Sequence, residues 1–282
     1  MRVFVFFSLL LLVYAVLPFS TTADAFQVTA EPQSVGPGDP FLIRVEGLEG
    51  ARHPDASFGG RKLMFFTCGD DCSMAVCAVD LMMKPGKYRI EVVAGKRKKR
   101  AIITVRRHVP EVMHITLPPD KVTLSPDDMV RVEREENLLK DLWLVQTEKK
   151  WDGSFLLPLQ NEISTQFGIK RVINEKKVSF HRGIDIPGKQ GEGVMASNNG
   201  TVVLAEELYF GGNTLVISHG KGIFTVYMHL DSFNANKGKE ISKGDIIGFV
   251  GSTGRSTGPH LHFGVKVRDA SVNPVTFMKL KL

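Results

Sequence analysis

The chain opens on an almost unbroken apolar run, Phe4 to Leu17, behind a basic start at Met1-Arg2 and ahead of Ala23-Asp24-Ala25. A basic start, an apolar stretch and a small-x-small ending predict a secretory signal peptide over 1–25, cleaved after Ala25. The run is short for a membrane span of about 20 residues. Export with no stable membrane span after cleavage is therefore expected. No Cys follows the cleavage position, which argues against a lipoprotein anchor.

From Phe26 to about His108 the chain reads as short strands separated by turns. Phe26-Gln-Val28-Thr-Ala30 alternates apolar and polar, Gly36-Pro-Gly-Asp-Pro40 signals a turn, and Phe41-Leu-Ile-Arg-Val45 follows as a second strand. Pro85-Gly86 introduces Tyr88, Ile90 and Val92 on one face, and Ala101 to Val105 is a further β-rich run. Strands at this spacing without helical periodicity predict a small β-sandwich over 26–108. Tyr88, at a strand start after Pro-Gly, suggests an immunoglobulin-like corner. The basic run Gly95-Lys-Arg-Lys-Lys-Arg100 reads as a solvated hairpin tip.

Residues 109–150 read as a connector, broken by Pro110, Pro118 and Pro119. Within it, Ser125-Pro126-Asp127-Asp128 supplies an N-cap, a proline at the first helical position and acidic residues in the first turn. Leu138, Leu142 and Val145 continue at helical spacing, predicting an amphipathic helix from Asp127 to about Lys149. From Trp151 onward, short β-rich runs alternate with Gly turns, at 200–204, 213–218, 223–228, 246–250 and 261–267. The chain is thus expected to be all-β apart from the helical connector, with a second domain over 151–282.

Composition adds little to this picture. The chain has 36 basic and 30 acidic residues, a formal charge of +6. On an exported protein that tilt suits polyanionic surfaces such as wall polymers rather than nucleic acid. Cys68, Cys72 and Cys77 match neither a zinc knuckle nor a redox Cys-x-x-Cys. In an oxidising compartment they predict one local disulfide with one thiol left over, the pairing open.

Candidate chemistry lies in the second domain. His181-Arg-Gly-Ile-Asp185 places an imidazole and a carboxylate four apart, Tyr227-Met-His229-Leu230 ends an apolar strand with His229, and Pro259-His-Leu-His-Phe263 carries His260 and His262. In a strand, His260 and His262 share a face. Imidazole and carboxylate ligands suit zinc, and a catalytic zinc keeps three protein ligands and an open fourth position. One His-carboxylate pair and one further His would complete that shell and leave two imidazoles for proton transfer.

Phe180–Ile186, Gly200–Val203, Gly212–Ile217, Tyr227–Leu230 and Gly248–Phe263 appear in that order, and together they resemble the lysostaphin-type (LytM-like) zinc metalloendopeptidases of bacterial cell walls. The resemblance covers about Leu157 to Phe277. It implies a LytM-type β-domain (a barrel-sandwich hybrid), a Zn2+ cofactor and a peptidoglycan peptide substrate. By the family's motifs, His181, Asp185 and His262 would be the metal ligands. His260 would be a catalytic base or oxyanion partner, and His229 the second catalytic imidazole.

Gly264 departs from the family, where many relatives carry an acidic side chain after the corresponding aromatic residue. The Lys-rich loop from Gly168 to Phe180 (Lys170, Lys176, Lys177) is expected to line the groove, and His219 to be structural. Location would be periplasmic or cell-wall associated, and direct cross-links are favoured over glycine bridges as the bond cleaved. The N-terminal domain would regulate or target the enzyme, including by self-inhibition. Two other readings are weaker. A non-catalytic LytM-like regulator is opposed by the five intact positions, and a phosphoryl-carrier domain by the signal peptide and by Asp185.

Overall fold

The computed structural model describes residues 26–48, 54–116 and 124–282. The signal peptide expected over 1–25, and Pro118 and Pro119 of the connector, lie outside the described residues.

The N-terminal part contains β1 (Gln27–Glu31), β2 (Ser34–Val35), β3 (Pro40–Glu46), β4 (Asp55–Phe58), β5 (Arg61–Lys62), β6 (Phe66–Gly69), β7 (Cys72–Ala78), β8 (Gly86–Ala94) and β9 (Arg97–Val105). They form two sheets, ordered β1-β3-β7-β6 and β2-β9-β8-β4-β5. Between the sheets, Phe41, Ile43 and Cys77 from one meet Ile90, Val92 and Ile103 from the other. Tyr88 Oη donates to the Lys84 carbonyl at 2.7 Å.

The first sheet is buried on both faces, because successive side chains point to opposite sides. Phe41, Ile43, Ala75 and Cys77 enter the sandwich core, while Leu42, Met74, Val76 and Ala78 pack into the core of the C-terminal part with Trp151, Val267 and Phe277. This explains why β3 and β7 read as near-continuous apolar runs rather than alternating ones. Polar ties reinforce the junction. Arg61 bonds both Asp80 and Asp269, and Thr276 donates to Asp39 at 2.9 Å.

The cysteines resolve as a Cys68–Cys72 disulfide, with Cys77 a buried free thiol. The basic run departs from expectation. Only Gly95 and Lys96 form the turn, and Arg97 to Arg100 lie within β9, where Arg100 pairs with Glu91 across the hairpin. Gly95, at φ 62°, supplies the left-handed turn and lets the strand extend back to Arg97.

The connector is also more regular than its prolines suggest. Strand β10 (Val112–Ile115) pairs in parallel with β11 (Lys170–Ile173), which pairs with β12 (Lys177–Phe180). Helix α1 (Pro126–Leu144) begins as expected, with Ser125 Oγ accepting from the Asp128 N–H. It stops at Leu144, short of Lys149, and its buried face is Val132, Glu135, Leu142 and Trp143, whereas Leu138 and Val145 are exposed. Two things end it. Residues beyond Leu144 turn extended, and their main chain bonds the end of a β-strand, Lys150 N–H to His219 O at 2.8 Å and Lys221 N–H to Thr147 O at 2.9 Å. The anchoring side chain is Trp143, which packs edge-on to Phe224 at 5.2 Å and turns the docked face away from Leu138.

The C-terminal part continues with β13 (Ile184–Pro187), β14 (Gly193–Met195), β15 (Gly200–Leu208), β16 (Gly212–Gly220), β17 (Ile223–Phe233), β18 (Glu240–Ile241), β19 (Ile246–Val250), β20 (His260–Val267), β21 (Ala270–Val272) and the short α2 (Pro274–Phe277). The main path runs β13-β20-β17-β16-β15-β18. One face buries Ile217, Tyr227, Leu261, Phe263 and Val265. The other carries Leu204, Val216, Phe224 and Val226 under Leu142 and Trp143 of α1. Helix α1 covers only part of that face, and His260 and His262 lie on the same side of β20 as Lys266, whose Nζ sits 4.9 Å from the Trp143 ring.

Candidate metal centre

Strand register brings the first residues together. In the antiparallel pair β13–β20, Asp185 stands directly opposite His262, and His262 in turn faces Met228 of β17. His181 lies just before β13 and is tied in by its main chain, His181 N–H to Ile169 O at 2.9 Å. His181 Nε2 is 2.9 Å from Asp185 Oδ1 and 3.0 Å from His262 Nδ1, and His262 Nδ1 is 2.8 Å from the same Oδ1. Ligand atoms of these three residues all lie within 4.8 Å of one another.

The donor set fits a small divalent ion. His181 Nδ1 is 2.8 Å from the Gln166 carbonyl. A carbonyl only accepts, so Nδ1 carries the proton and Nε2 offers its lone pair. Tetrahedral zinc with bonds of about 2.0–2.1 Å spaces its ligand atoms about 3.3 Å apart, close to the spacing here. Arg171 Nη2 donates to the other Asp185 oxygen, Oδ2, at 3.0 Å, so Oδ1 faces the imidazoles alone. Burial raises the Asp185 carboxyl, but the close contacts with the His181 and His262 rings outweigh it and hold the group well below the usual carboxylate range. Burial also lowers His262, against the opposing pull of Asp185.

His229 reaches the same space by a different device. Val226 and Met228 of β17 face α1, so a regular strand would send His229 to the opposite side. His229 instead has φ 63°, a left-handed conformation that a side chain of this size rarely adopts. Its ring comes to 4.8 Å from His260 and 6.2 Å from His262, centroid to centroid. His229 Nδ1 is 2.9 Å from the Thr253 carbonyl and His260 Nδ1 is 2.8 Å from the Gly258 carbonyl. Both rings therefore donate through Nδ1 to the loop between β19 and β20 and present Nε2 as an acceptor. Burial, chiefly, pushes His229 down to about 4, so it is neutral at neutral pH.

His219 stands apart from these five. It is buried, with Nδ1 on the Asn199 carbonyl at 2.7 Å and Nε2 on Thr225 Oγ1 at 2.8 Å, and it packs against Phe155.

Four of the five side chains line a groove of about 470 Å³, and His181 is buried behind them. Asp185, His229, His260 and His262 line it, with Arg171, Ile173 and Ser179 from the β11–β12 hairpin and Arg255, Ser256 and Thr257 from the β19–β20 loop. The loop from Gly168 to Phe180 lines the groove as expected, but through Arg171, Ile173 and Ser179 rather than Lys170, Lys176 or Lys177. Alternation along β11 turns Arg171 and Ile173 inward and Lys170 outward, and Lys176 and Lys177 sit at the exposed turn. Met113 and Ile115 of β10 also line the groove, whereas no lining residue comes from strands β1 to β9. Sequence reasoning missed Arg171, Arg255, Met113 and Ile115. Arg171 sits unmarked in a basic loop, and β10 reaches the groove only through a parallel pairing with a strand nearly sixty residues away.

Comparison with known proteins agrees with this arrangement. Residues 179–274 match Peptidase family M23. The chain is 40% identical over 114 residues to the DD-carboxypeptidase/endopeptidase Mpg of Neisseria meningitidis serogroup B, covering 40% of this chain and 26% of that protein. It is 40% identical over 112 residues to the peptidoglycan DD-endopeptidase ShyA of Vibrio cholerae, covering 39% and 26% respectively. The chain thus spans about a quarter of the length of these curated relatives. A solved structure from Pseudomonas aeruginosa, described as an M23 peptidase, superimposes with a TM-score of 0.67 at 25% identity over 86% of this chain and 94% of its own. The motif-bearing segments from Phe180 to Phe263 all fall within the stretch, residues 179–274, that matches Peptidase family M23.

Proposed function

We propose that this chain is an exported zinc-dependent endopeptidase that hydrolyses peptide cross-links of bacterial peptidoglycan. His181, Asp185 and His262 hold the metal through Nε2, Oδ1 and Nδ1, and His229 and His260 are the catalytic imidazoles. Residues 1–25 act as the signal peptide, 26–108 as the sandwich, 109–150 as the connector and 151–282 as the peptidase domain. The observation that carries the reading is the meeting of three ligand atoms with two imidazoles whose Nδ1 atoms are held by loop carbonyls.

Zinc held there supplies Lewis acidity, polarising the scissile carbonyl and acidifying a water. The side chains do the rest. An imidazole whose Nδ1–H is committed to a carbonyl takes a proton at Nε2 from the attacking water. As imidazolium it returns that proton to the leaving nitrogen. Arg171 orients Asp185 through its Oδ2. The apolar residues Met113, Ile115 and Ile173 shape the wall along which a peptide would lie.

The relatives named DD-endopeptidases support direct cross-links as the substrate and a site of action outside the cytoplasm. The five converging side chains weigh against a purely regulatory LytM-like role. The sandwich would position or regulate the peptidase through the interface at Leu42, Met74 and Val76. The test is digestion of purified sacculi by the zinc-loaded chain, with products identified by mass spectrometry. Conversion of cross-linked dimers to monomeric glycopeptides, seen once the glycan is digested with a muramidase, is expected. Unaltered sacculi, with zinc bound and the protein folded, would sink the reading.

A further inference from the structure

Arg255 is the groove residue that the proposed chemistry leaves unused. It sits in the β19–β20 loop between Thr253, which fixes His229, and Gly258, which fixes His260. Its main-chain N–H bonds the Phe210 carbonyl at 3.0 Å, and its guanidinium lies over the Phe210 ring, 4.4 Å from the centroid. The ring is itself held from behind. Glu135 of α1, buried and paired with Arg131 at 2.7 Å, accepts from the Tyr209 N–H at 2.8 Å, so the connector helix anchors the loop carrying Phe210.

Stacking orients a guanidinium and leaves its N–H edge free for a planar anion. No carboxylate among the described residues pairs with Arg255. Another cation, Arg171, lines the same groove. Burial, first, and the charge of Arg171, next, hold the Arg255 guanidinium below its ordinary value. Arg171 meanwhile commits Nη2 to Asp185. Two guanidinium groups thus line one side of the chemistry, beside Ser256 and Thr257, with Asp185 as the lining carboxylate and its Oδ1 already directed at the imidazoles.

We propose that Arg255, with Arg171 beside it, forms a carboxylate-binding subsite of the groove. The substrate is then a peptide bearing a free carboxylate within a residue or two of the scissile bond. An extended residue spans about 3.3–3.6 Å, and Arg171 bridges directly to the candidate metal ligand, so the anion cannot lie far along the peptide. A guanidinium fork matches a carboxylate in two parallel hydrogen bonds. This rests on the peptidase reading above. A cross-linked stem peptide offers two such carboxylates, at its C-terminus and on its diamino acid.

The test measures equilibrium binding of three cross-linked stem-peptide dimers to the zinc-loaded full chain (26–282) carrying His229→Ala. One dimer has both carboxylates free, one is amidated at the C-terminus and one is amidated at the diamino acid. The free form is expected to bind about tenfold tighter than one of the two amidated forms, and that form identifies the carboxylate. Adding Arg255→Gln should collapse the ratio to about twofold or less, while Arg255→Lys, which keeps charge without the fork, retains part of it. Thermal unfolding of each variant shows that the fold is kept. Equal binding of all three dimers, no binding, or a ratio that survives Arg255→Gln overturns the subsite. Absence of turnover by the zinc-loaded wild-type chain overturns the peptidase reading instead, and the binding ratio still reports on Arg255.

Discussion

His229 and His260 hold their rings 4.8 Å apart, and each is pinned through Nδ1 to a main-chain carbonyl of the same loop, at Thr253 and Gly258. The loop therefore sets the tautomer and direction of both imidazoles at once, while the three proposed metal ligands sit on β13, β20 and the segment before β13. His260 and His262 share β20, so it is the loop contacts of His229 and His260 that set the proposed reacting pair apart from the proposed ligands. Replacing His229 or His260 by Ala is expected to leave zinc content unchanged and lower kcat/KM by about 10²–10⁴-fold. His181→Ala is expected to lose the metal itself. Metal analysis beside turnover separates the two groups, and zinc loss in His229→Ala would contradict the division.

Arg171 is a positioning residue for the centre. Its 3.0 Å contact with Asp185 Oδ2 stabilises the ionised carboxylate and leaves Oδ1 for the ion. Arg171→Met is expected to weaken zinc binding by about 10–100-fold, as loss of an outer hydrogen-bond partner does. Competition with a chromophoric chelator measures it. Unchanged affinity would limit Arg171 to the groove wall.

Gly183 is required by close approach. A Cβ there would lie 2.5 Å from the Phe263 carbonyl and 2.6 Å from His262 Nε2. Gly183→Ala should push the His262 ring out of line and reduce bound zinc, with a loss of about 1–3 kcal/mol from overpacking. Zinc stoichiometry and denaturant midpoint together check this.

His219 makes stability depend on pH. Burial, first, pushes it down to about 4, although the Asn199 carbonyl pulls the other way. The unfolded chain takes up this proton near pH 6.5, and the folded chain refuses it until about pH 4. Stability supplied by neutral His219 is thus full above about 6.5, falls as the pH drops through the window, and levels off below about 4, a total of about 3 kcal/mol. Denaturant unfolding at pH 7 and pH 5, without metal, should show a slope that His219→Gln reduces. Parallel curves for the two proteins would refute it.

Much of the fold was legible in the hydrophobic pattern. Period-two runs marked strands of the first part and β-rich runs between Gly turns those of the second, and Ser125-Pro126 marked the start of α1 because an N-cap is a local hydrogen-bonding event. The end of α1 was not legible. Val145 continues the apolar spacing, but the chain leaves the helix to bond Thr147 and Lys150 to the end of β16 and the turn after it, a competition that no window of sequence contains. Likewise β10 follows proline-broken sequence and pairs with a partner far along the chain.

The sequence by itself determined which groups can carry the chemistry. His181, Asp185, His229, His260 and His262 stand in short motifs, and the two-residue spacing of His260 and His262 already puts them on one face. Tertiary structure alone decided how they meet. Register set Asp185 against His262, a left-handed turn at His229 swung its ring to the other side of the sheet, and loop carbonyls fixed both free imidazoles. It alone placed Arg171, Arg255 and Met113 in the groove. Side-chain identity and local spacing are written in the chain, whereas contact between distant segments depends on how the sheets pack.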